Sequence, residues 1–348
     1  MQKDNTRTMK ILYGIQGTGN GHISRAGAIL PELCKHATVH TLISGSSNEF
    51  AGGFPTDYRV SGLGFSFGKN GGIDYRDSLA KARPAELLQD VQNLPVEQYD
   101  LIISDFEPVS AWAGKLKNIP VLALSHQAAF LSEKSPRPVV RQFWGEILFR
   151  NYAPANSYFG FHFEAYDQQV FTPIIRQDVR ALSPAEGEHI TIYLPAYSPE
   201  KLMPCLKQLE RPVHLFTKHQ NHHSTEKNVQ VIPVDGELYL SSLESCKAVV
   251  CGAGFESPSE ALYLGKRLIC IPMSGQYEQQ CNAAALRMKG VSVLSSAYDH
   301  LHEHLNELLK QPAPAPVAYP DIIPDVVQQV LEYAENPTGE TQRKGLRA

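Results

Sequence analysis

The stretch from Lys247 to Leu294 constrains the fold more than any other part of the chain. Ala248 to Cys251 is a short apolar run that reads as a buried strand, with Gly252, Ala253 and Gly254 directly after it. A helix is predicted from about Ser257. Pro258 suits a first helical position, Glu260 falls in the first turn, and Gly265 stops the helix. Leu268 to Ile271 is a second apolar run, closed by Pro272. A polar loop leads to a helix from about Glu278 to Met288, ended by Gly290, and Val291 to Leu294 reads as a third strand. Strand, loop and helix repeated in this order predict a parallel sheet with helices across it.

The junctions carry chemistry. A glycine-rich turn into a helix N-terminus leaves backbone N–H groups free and the positive end of the dipole exposed, which suits a diphosphate. Glu260 sits about one turn into that helix, where a carboxylate can take two vicinal ribose hydroxyls. Glu278 and Gln279 open the next helix beside the same crevice, with Asn282 one turn on, and such groups suit sugar hydroxyls. The ordinary alternative is an αβ corner whose glycines only allow a tight turn. Gly252 and Gly254 alone favour that alternative; the full ordered set with Glu260, Pro272, Glu278, Gln279 and Asn282 is far more specific.

That ordered set resembles the donor signature of GT-B glycosyltransferases. The likeness is to the UDP-glycosyltransferases, to the lipid-linked N-acetylglucosaminyltransferase of peptidoglycan synthesis, and to a bacterial and archaeal branch of the same fold. The family pattern runs as His-Gly-Gly, then Glu-Ala, Pro, Asp-Gln and Asn-Ala. This chain has Glu260-Ala261, Pro272, Glu278-Gln279 and Asn282-Ala283 in that order. It departs at the start, where Cys251 replaces the histidine and the spacing to Glu260 is one residue longer, so phosphate contact is expected from the backbone. The resemblance implies donor contacts from Gly252, Ala253, Gly254, Phe255, Ser257, Glu260, Glu278, Gln279 and Asn282.

The first half carries a second glycine loop. Met9 to Ile15 reads as a buried strand, followed by Gly17, Thr18, Gly19, Asn20, Gly21 and His22, with a helix from about Ser24 to Leu33. The spacing is G-x-G-x-G, not the G-x-G-x-x-G of dinucleotide folds. The second strand, Val39 to Ile43, ends in Ser44-Gly45 where a nicotinamide cofactor would want an acidic residue for its ribose. Both facts count against a dehydrogenase. Residues 17–21 are read as an acceptor-side or phosphate loop. A histidine after such a loop can take a proton from a hydroxyl, or it can merely cap the helix. The resemblance favours the base, because inverting GT-B enzymes often carry one at this Gly-His step.

Leu101 to Ser104 reads as another buried strand with Asp105 at its carboxyl end, where parallel sheets put functional groups. Asp105 can therefore meet His22 and orient its ring, or it can cap a helix starting near Ser110. Glu107 and His126 are rivals for these tasks. Residues 46–75, rich in Gly, Phe and Ser, are expected to form an irregular segment. From Lys134 to Tyr158, basic and aromatic residues at helical spacing fit either an anionic bilayer near 134–150 or, as the favoured reading, a core-facing helix with a solvated basic side. His219, His222 and His223 fall in a polar loop, read as solvated and not as a metal site.

Composition removes other classes. Of 348 residues 43% are hydrophobic and 20% charged, enough for two domains with full cores. A net charge of −4 gives no reason to expect nucleic acid. No apolar run approaches the length of a membrane span, and no signal peptide is read at the start. The six cysteines form no metal-binding pattern, so a reducing cytoplasm is expected, with the inner face of the membrane as a peripheral site.

The expected architecture is α/β of the GT-B kind, two Rossmann-like domains facing across a cleft. Residues 1–170 form the acceptor side, 171–320 bind the nucleotide sugar, and 321–348 supply a helix crossing back plus a tail. The resemblance implies sugar transfer from a UDP-sugar to a hydroxyl, on a lipid or cell-envelope glycan, with inversion and with neither metal nor cofactor. His22 would be the base and Asp105 its orienter. An epimerase of the same fold, or a silent nucleotide-sugar binder, are the alternatives.

Overall fold

The computed structural model describes residues 8–17, 20–45, 53–62, 84–298 and 300–337, with the backbone of 66–67 and 73–74. Thr18 and Gly19, most of the segment 46–75 and the tail beyond 337 lie outside the described residues.

Alternating apolar runs and helices resolve into two seven-stranded sheets among the described residues. The first contains β1 (Lys10–Gln16), β2 (Thr38–Ser44), β3 (Tyr58–Val60), β6 (Leu101–Asp105), β7 (Val121–Ser125), β8 (Ser157–Phe161) and β9 (Val170–Phe171). Its order is β3-β2-β1-β6-β7-β8-β9, all parallel. A two-stranded ribbon, β4 (Ser66–Phe67) and β5 (Ile73–Asp74), stands apart. The second sheet contains β10 (Ile190–Tyr193), β11 (Val213–Thr217), β12 (Ser224–Glu226), β13 (Val229–Pro233), β14 (Ala248–Gly252), β15 (Arg267–Ile271) and β16 (Ser292–Val293). It is ordered β12-β13-β11-β10-β14-β15-β16, parallel except at β12–β13.

Each sheet reverses its winding once. In the first, β1 is flanked by β2 and β6; in the second, β10 is flanked by β11 and β14. Strand order reversal opens a crevice at the carboxyl ends, the usual ligand site of such sheets. Asp105 ends β6 in register with Ile15, and Gly252 ends β14 one residue beyond the Cys251–Tyr193 pair. The two motifs singled out in the sequence thus stand at the two switch points.

The helices are α1 (Asn20–Leu33), α2 (Pro84–Asn93), α3 (Pro108–Lys117), α4 (Phe143–Asn151), the single turn α5 (Gln177–Arg180), α6 (Pro199–Leu206), α7 (Gly236–Ser245), α8 (Glu256–Tyr263), α9 (Tyr277–Met288), α10 (Leu301–Lys310) and α11 (Ile323–Glu335). Helix α11 packs back on α1, and Val326, Val327 and Val330 share one apolar cluster with Ile23, Ala26 and Ile29. The same cluster runs through Phe163 of the first half and Phe255 of the second, so the halves share a core.

Two boundaries differ from expectation. Helix α1 begins at Asn20, so His22 lies in its first turn and not ahead of it. Helix α4 buries only Phe149; Phe143 and Trp144 are 71% and 77% exposed, and Val139 and Val140 beside them are exposed too. The core-facing reading holds for one side of α4, where Phe149 stacks on Phe130 and Tyr277, but not for its start, where Phe143 and Trp144 stay exposed. Among the described residues no helix is long and apolar enough to cross a membrane.

Candidate active site

His22 and Asp105, 83 positions apart, meet at the first switch point. The His22 Nδ1 lies 2.8 Å from Asp105 Oδ1. Arg25, one turn further along α1, donates from Nε to Oδ2 at 3.0 Å and from Nη2 to Oδ1 at 2.7 Å. Asp105 is fully buried and Arg25 nearly so. Burial alone would push the Asp105 carboxyl up, but Arg25 and His22 outweigh it and hold it below the ordinary range. An ionised Asp105 only accepts, so His22 carries its proton on Nδ1. The 3.2 Å approach of Arg25 Nη2 to that nitrogen then sets two donors side by side, not a hydrogen bond. Nε2 is left as the acceptor. The His22 side chain retains 14% exposure, so the ring is not sealed in the core.

Arg25 also donates from Nη1 to Glu256 Oε1 at 2.5 Å, across to the first residue of α8 in the other half. Burial lowers the pKa of Arg25, but Asp105 and Glu256 more than reverse this and raise it. Burial raises Glu256 to about 7, against the pull of Arg25 and with the push of Glu260 and Asp105. Neither Arg25 nor Glu256 was assigned a role from the sequence. The signal for Arg25 was its i,i+3 spacing from His22 on one helix face; for Glu256 there was none, because its partner lies in the other half.

The rivals for the base are otherwise engaged. Glu107 caps α3, its carboxylate accepting from Val109 and Ser110 N–H at 2.8 and 2.7 Å. The capping role considered for Asp105 therefore belongs to Glu107. His126 is 2% exposed, with Nδ1 2.7 Å from the Phe161 carbonyl and Nε2 2.8 Å from Asn282 Oδ1. Neither nitrogen is left for a hydroxyl.

At the second switch point, Gly254 faces open space: an added Cβ would meet nothing within 4 Å. Gly252 is similarly uncrowded, its nearest neighbour being Gln279 Oε1 at 3.7 Å. Ala253 is buried, its N–H donating to the Ile271 carbonyl at 3.3 Å. Ser257 is half-buried in the first turn of α8. From the first half, Gly21 comes against Glu256, where a Cβ would lie 3.0 Å from Cγ; Gly17 donates to the Ser44 carbonyl at 2.6 Å, and Asn20 starts α1.

Several residues expected at the donor instead tie the halves together. Asn282 is fully buried, its Nδ2 donating to the Ala253 carbonyl at 3.1 Å while Oδ1 meets His126. Gln279 accepts from the Met273 N–H at 2.8 Å and so fixes the loop after β15. Glu278 accepts from Gln127 Nε2 at 2.9 Å. Phe255 lies under His126 and is 6% exposed. Glu260 is 6% exposed and accepts from Arg176 Nε at 2.8 Å. Burial raises the Glu260 carboxyl, against the pull of Arg176. Asn282, Gln279 and Glu260, the residues expected to meet the sugar and ribose, thus each hold a protein partner as well. Sequence order alone does not reveal partners from the opposite half. Among the described residues no three His, Cys, Asp or Glu side chains group as a metal site, the 219–223 loop included.

A family model described as glycosyl transferase family 1 matches residues 9–312. No curated protein matches the sequence. Among solved structures, the chain is similar to the spinosyn forosaminyltransferase SpnP, at 13% identity and TM-score 0.60, with 95% of this chain and 100% of that one covered. Acinetobacter baumannii MurG is similar at 18% identity and TM-score 0.54, over 93% and 99% of the two chains. A putative UDP-N-acetylglucosamine 2-epimerase from Listeria monocytogenes is similar at 9% and 0.60, over 98% and 100%. The shared fold is GT-B, two Rossmann-like domains facing across a cleft.

Proposed function

The chain belongs to glycosyl transferase family 1 and is a glycosyltransferase, and on that premise we propose that it moves a sugar from a UDP-sugar, or another nucleoside diphosphate sugar, to a hydroxyl with inversion and without a metal ion. The observation that carries this reading is the His22–Asp105 contact at one switch point, with the open Gly254 turn and the α8 N-terminus at the other. His22 Nε2 takes the proton of the acceptor hydroxyl as its oxygen attacks the anomeric carbon. The bond from that carbon to the diphosphate oxygen breaks, and the nucleotide leaves with the electron pair. The open turn at Gly254 and the α8 dipole stabilise its growing charge. Asp105 holds the imidazole in its Nδ1–H form and stabilises the imidazolium.

The test is a thermal-shift screen of nucleotides, then turnover with the best donor and a panel of hydroxyl acceptors. Transfer that persists in excess EDTA is expected. Activity lost in EDTA and restored by manganese or magnesium would refute the dipole account. Product analysis separates transfer from the epimerase chemistry of the fold: a new sugar isomer formed without acceptor would reassign the enzyme. Nucleotide binding with neither product would leave a silent binder.

We propose further that the acceptor is met at an anionic membrane surface. Val139, Val140, Phe143 and Trp144 are all exposed by 71% or more. Residues 134–150 carry Lys134, Arg137, Arg141 and Arg150 against a single carboxylate, Glu146. Lys134 pairs with Asp167, the buried Arg137 with Glu146, and Arg141 and Arg150 with Glu133, so the exposed apolar side chains carry the fit to a bilayer headgroup region. Helix α4 also adjoins the cleft, where Gly145 packs on Tyr277 at the start of α9. Phosphatidylglycerol vesicles should co-sediment the protein, and Trp144→Ser with Phe143→Ser should abolish this. A wild-type protein that ignores such vesicles would remove the membrane from the reading.

A further inference from the structure

Arg25 stands between two carboxylates that belong to different halves. Asp105 ends β6 of the first sheet, and Glu256 begins α8 of the second. One guanidinium holds both, Asp105 through two nitrogens and Glu256 through the third. The charges within this group decide how readily His22 accepts a proton. Arg25 cancels Asp105, so a His22–Asp105–Arg25 set alone is neutral, and protonating His22 would leave a net positive charge among buried groups. Burial raises Glu256 to about 7, so above that pH its carboxylate changes the sum: the set then carries one negative charge, which proton uptake by His22 neutralises. Charges in a partly buried site interact more strongly than in water.

We propose that Glu256 acts through Arg25 as a positioning residue for His22, supplying from the second half the charge that lets His22 work as a base. This rests on the reading of His22 given above. It adds a coupling: the charge set is complete only while the α8 N-terminus lies against α1.

Other charged groups face the set. Tyr13 lies below on β1 with its phenol buried, raised by burial and by Asp105, and so stays neutral. Glu260 and Arg176 lie beyond Glu256 and oppose one another, and His126 senses Arg25 from the β7 side. None of these joins the chain of contacts His22–Asp105–Arg25–Glu256.

The test is Glu256→Gln, which keeps an oxygen for Arg25 and removes only the charge. His22 is titrated by NMR of its imidazole nitrogens in the full-length protein, assigned by its loss in His22→Ala. In Glu256→Gln the His22 pKa should fall by about 0.5–1 pH unit, the scale of one charge acting at several ångströms through partly screened surroundings. The acid limb of turnover should move down by the same amount. Glu256→Asp should restore most of the wild-type value. An unchanged His22 titration in Glu256→Gln would overturn the proposal, since a merely structural Glu256 would leave it unmoved. The two readings fail separately. A shifted titration without transfer by any of the proteins removes the transferase role and keeps the coupling. Transfer with an unshifted titration does the reverse.

Discussion

The imidazole of His126 lies flat on the ring of Phe255, centroids 4.1 Å apart and planes within 3°. The two residues come from opposite halves, His126 just after β7 and Phe255 just before α8. Phe255 also touches Phe163, and the His126 ring bonds Asn282 of α9. The donor loop is thus keyed into the first half by an aromatic ring. Phe255→Ala should remove that key and leave a cavity, destabilising the protein by about 3–5 kcal/mol. Urea unfolding measures this; a loss under about 1 kcal/mol would mean that the halves are held elsewhere.

Next to this stack, His162 is fully buried, with Nδ1 accepting from the Phe163 N–H at 2.9 Å and Nε2 without a partner. Burial, aided by His126 and Arg137, pushes its pKa well below the ordinary value. The unfolded chain takes up a proton near pH 6.5, while the folded ring stays neutral. The stability it confers is therefore full above about pH 6.5 and is lost as pH falls. The loss approaches about 1.4 kcal/mol per pH unit. His162→Gln should lose about 1 kcal/mol less between pH 6.5 and 5.5 in chemical denaturation. Equal losses in the two proteins would show that His162 is not the group responsible.

The α/β alternation was legible because parallel strands buried on both faces read as short apolar runs, and the glycine turns and proline starts mark their exits; its GT-B kind rested on the resemblance of the ordered set from Gly252 to Asn282. Asp105 could be paired with His22 from strand order alone, since both stand at carboxyl ends of adjoining strands. Arg25 and Glu256 were not legible as a pair. Arg25 looks like any helix cation until the fold brings a carboxylate from 231 positions away. Asn282 was legible only in part for a related reason: its place in the ordered motif is clear, but its burial against His126 depends on how the halves meet. Helix α4 is similar, because amphipathic spacing says which face is apolar and not that Phe149 alone would be buried while Phe143 and Trp144 stay exposed.

Glu260 has two competing partners, and mutation separates them. Its carboxylate accepts from Arg176 just before α5, and the sequence reading gives it the ribose hydroxyls. If the ribose displaces or shares the Arg176 bond, Glu260→Ala should weaken UDP binding by about 1.5–3 kcal/mol in calorimetry. Unchanged affinity with a lowered melting temperature would leave Glu260 as a tie between the halves.

The catalytic assignment is tested by comparing two variants in activity and in stability together. His22 keeps part of its surface and makes one charge-assisted contact, whereas Asp105 is fully buried under a guanidinium. Removing the His22 ring deletes the base but leaves the Arg25–Asp105–Glu256 pairs whole. His22→Ala should therefore lower turnover by about 10²–10⁴-fold, the usual worth of general-base catalysis. Its melting temperature and UDP affinity should stay near wild type, since the donor is held by the second half. Asp105→Asn removes a buried charge from Arg25, and breaking such a pair costs about 3–5 kcal/mol. The amide can also turn its NH₂ toward His22 Nδ1, which selects the wrong tautomer and removes the Nε2 acceptor. This variant should thus lose both stability and turnover. A His22→Ala enzyme with full turnover would end the base assignment. With Glu107 committed to its cap and His126 to Phe161 and Asn282, the chain would then act as a binder of nucleotide sugars.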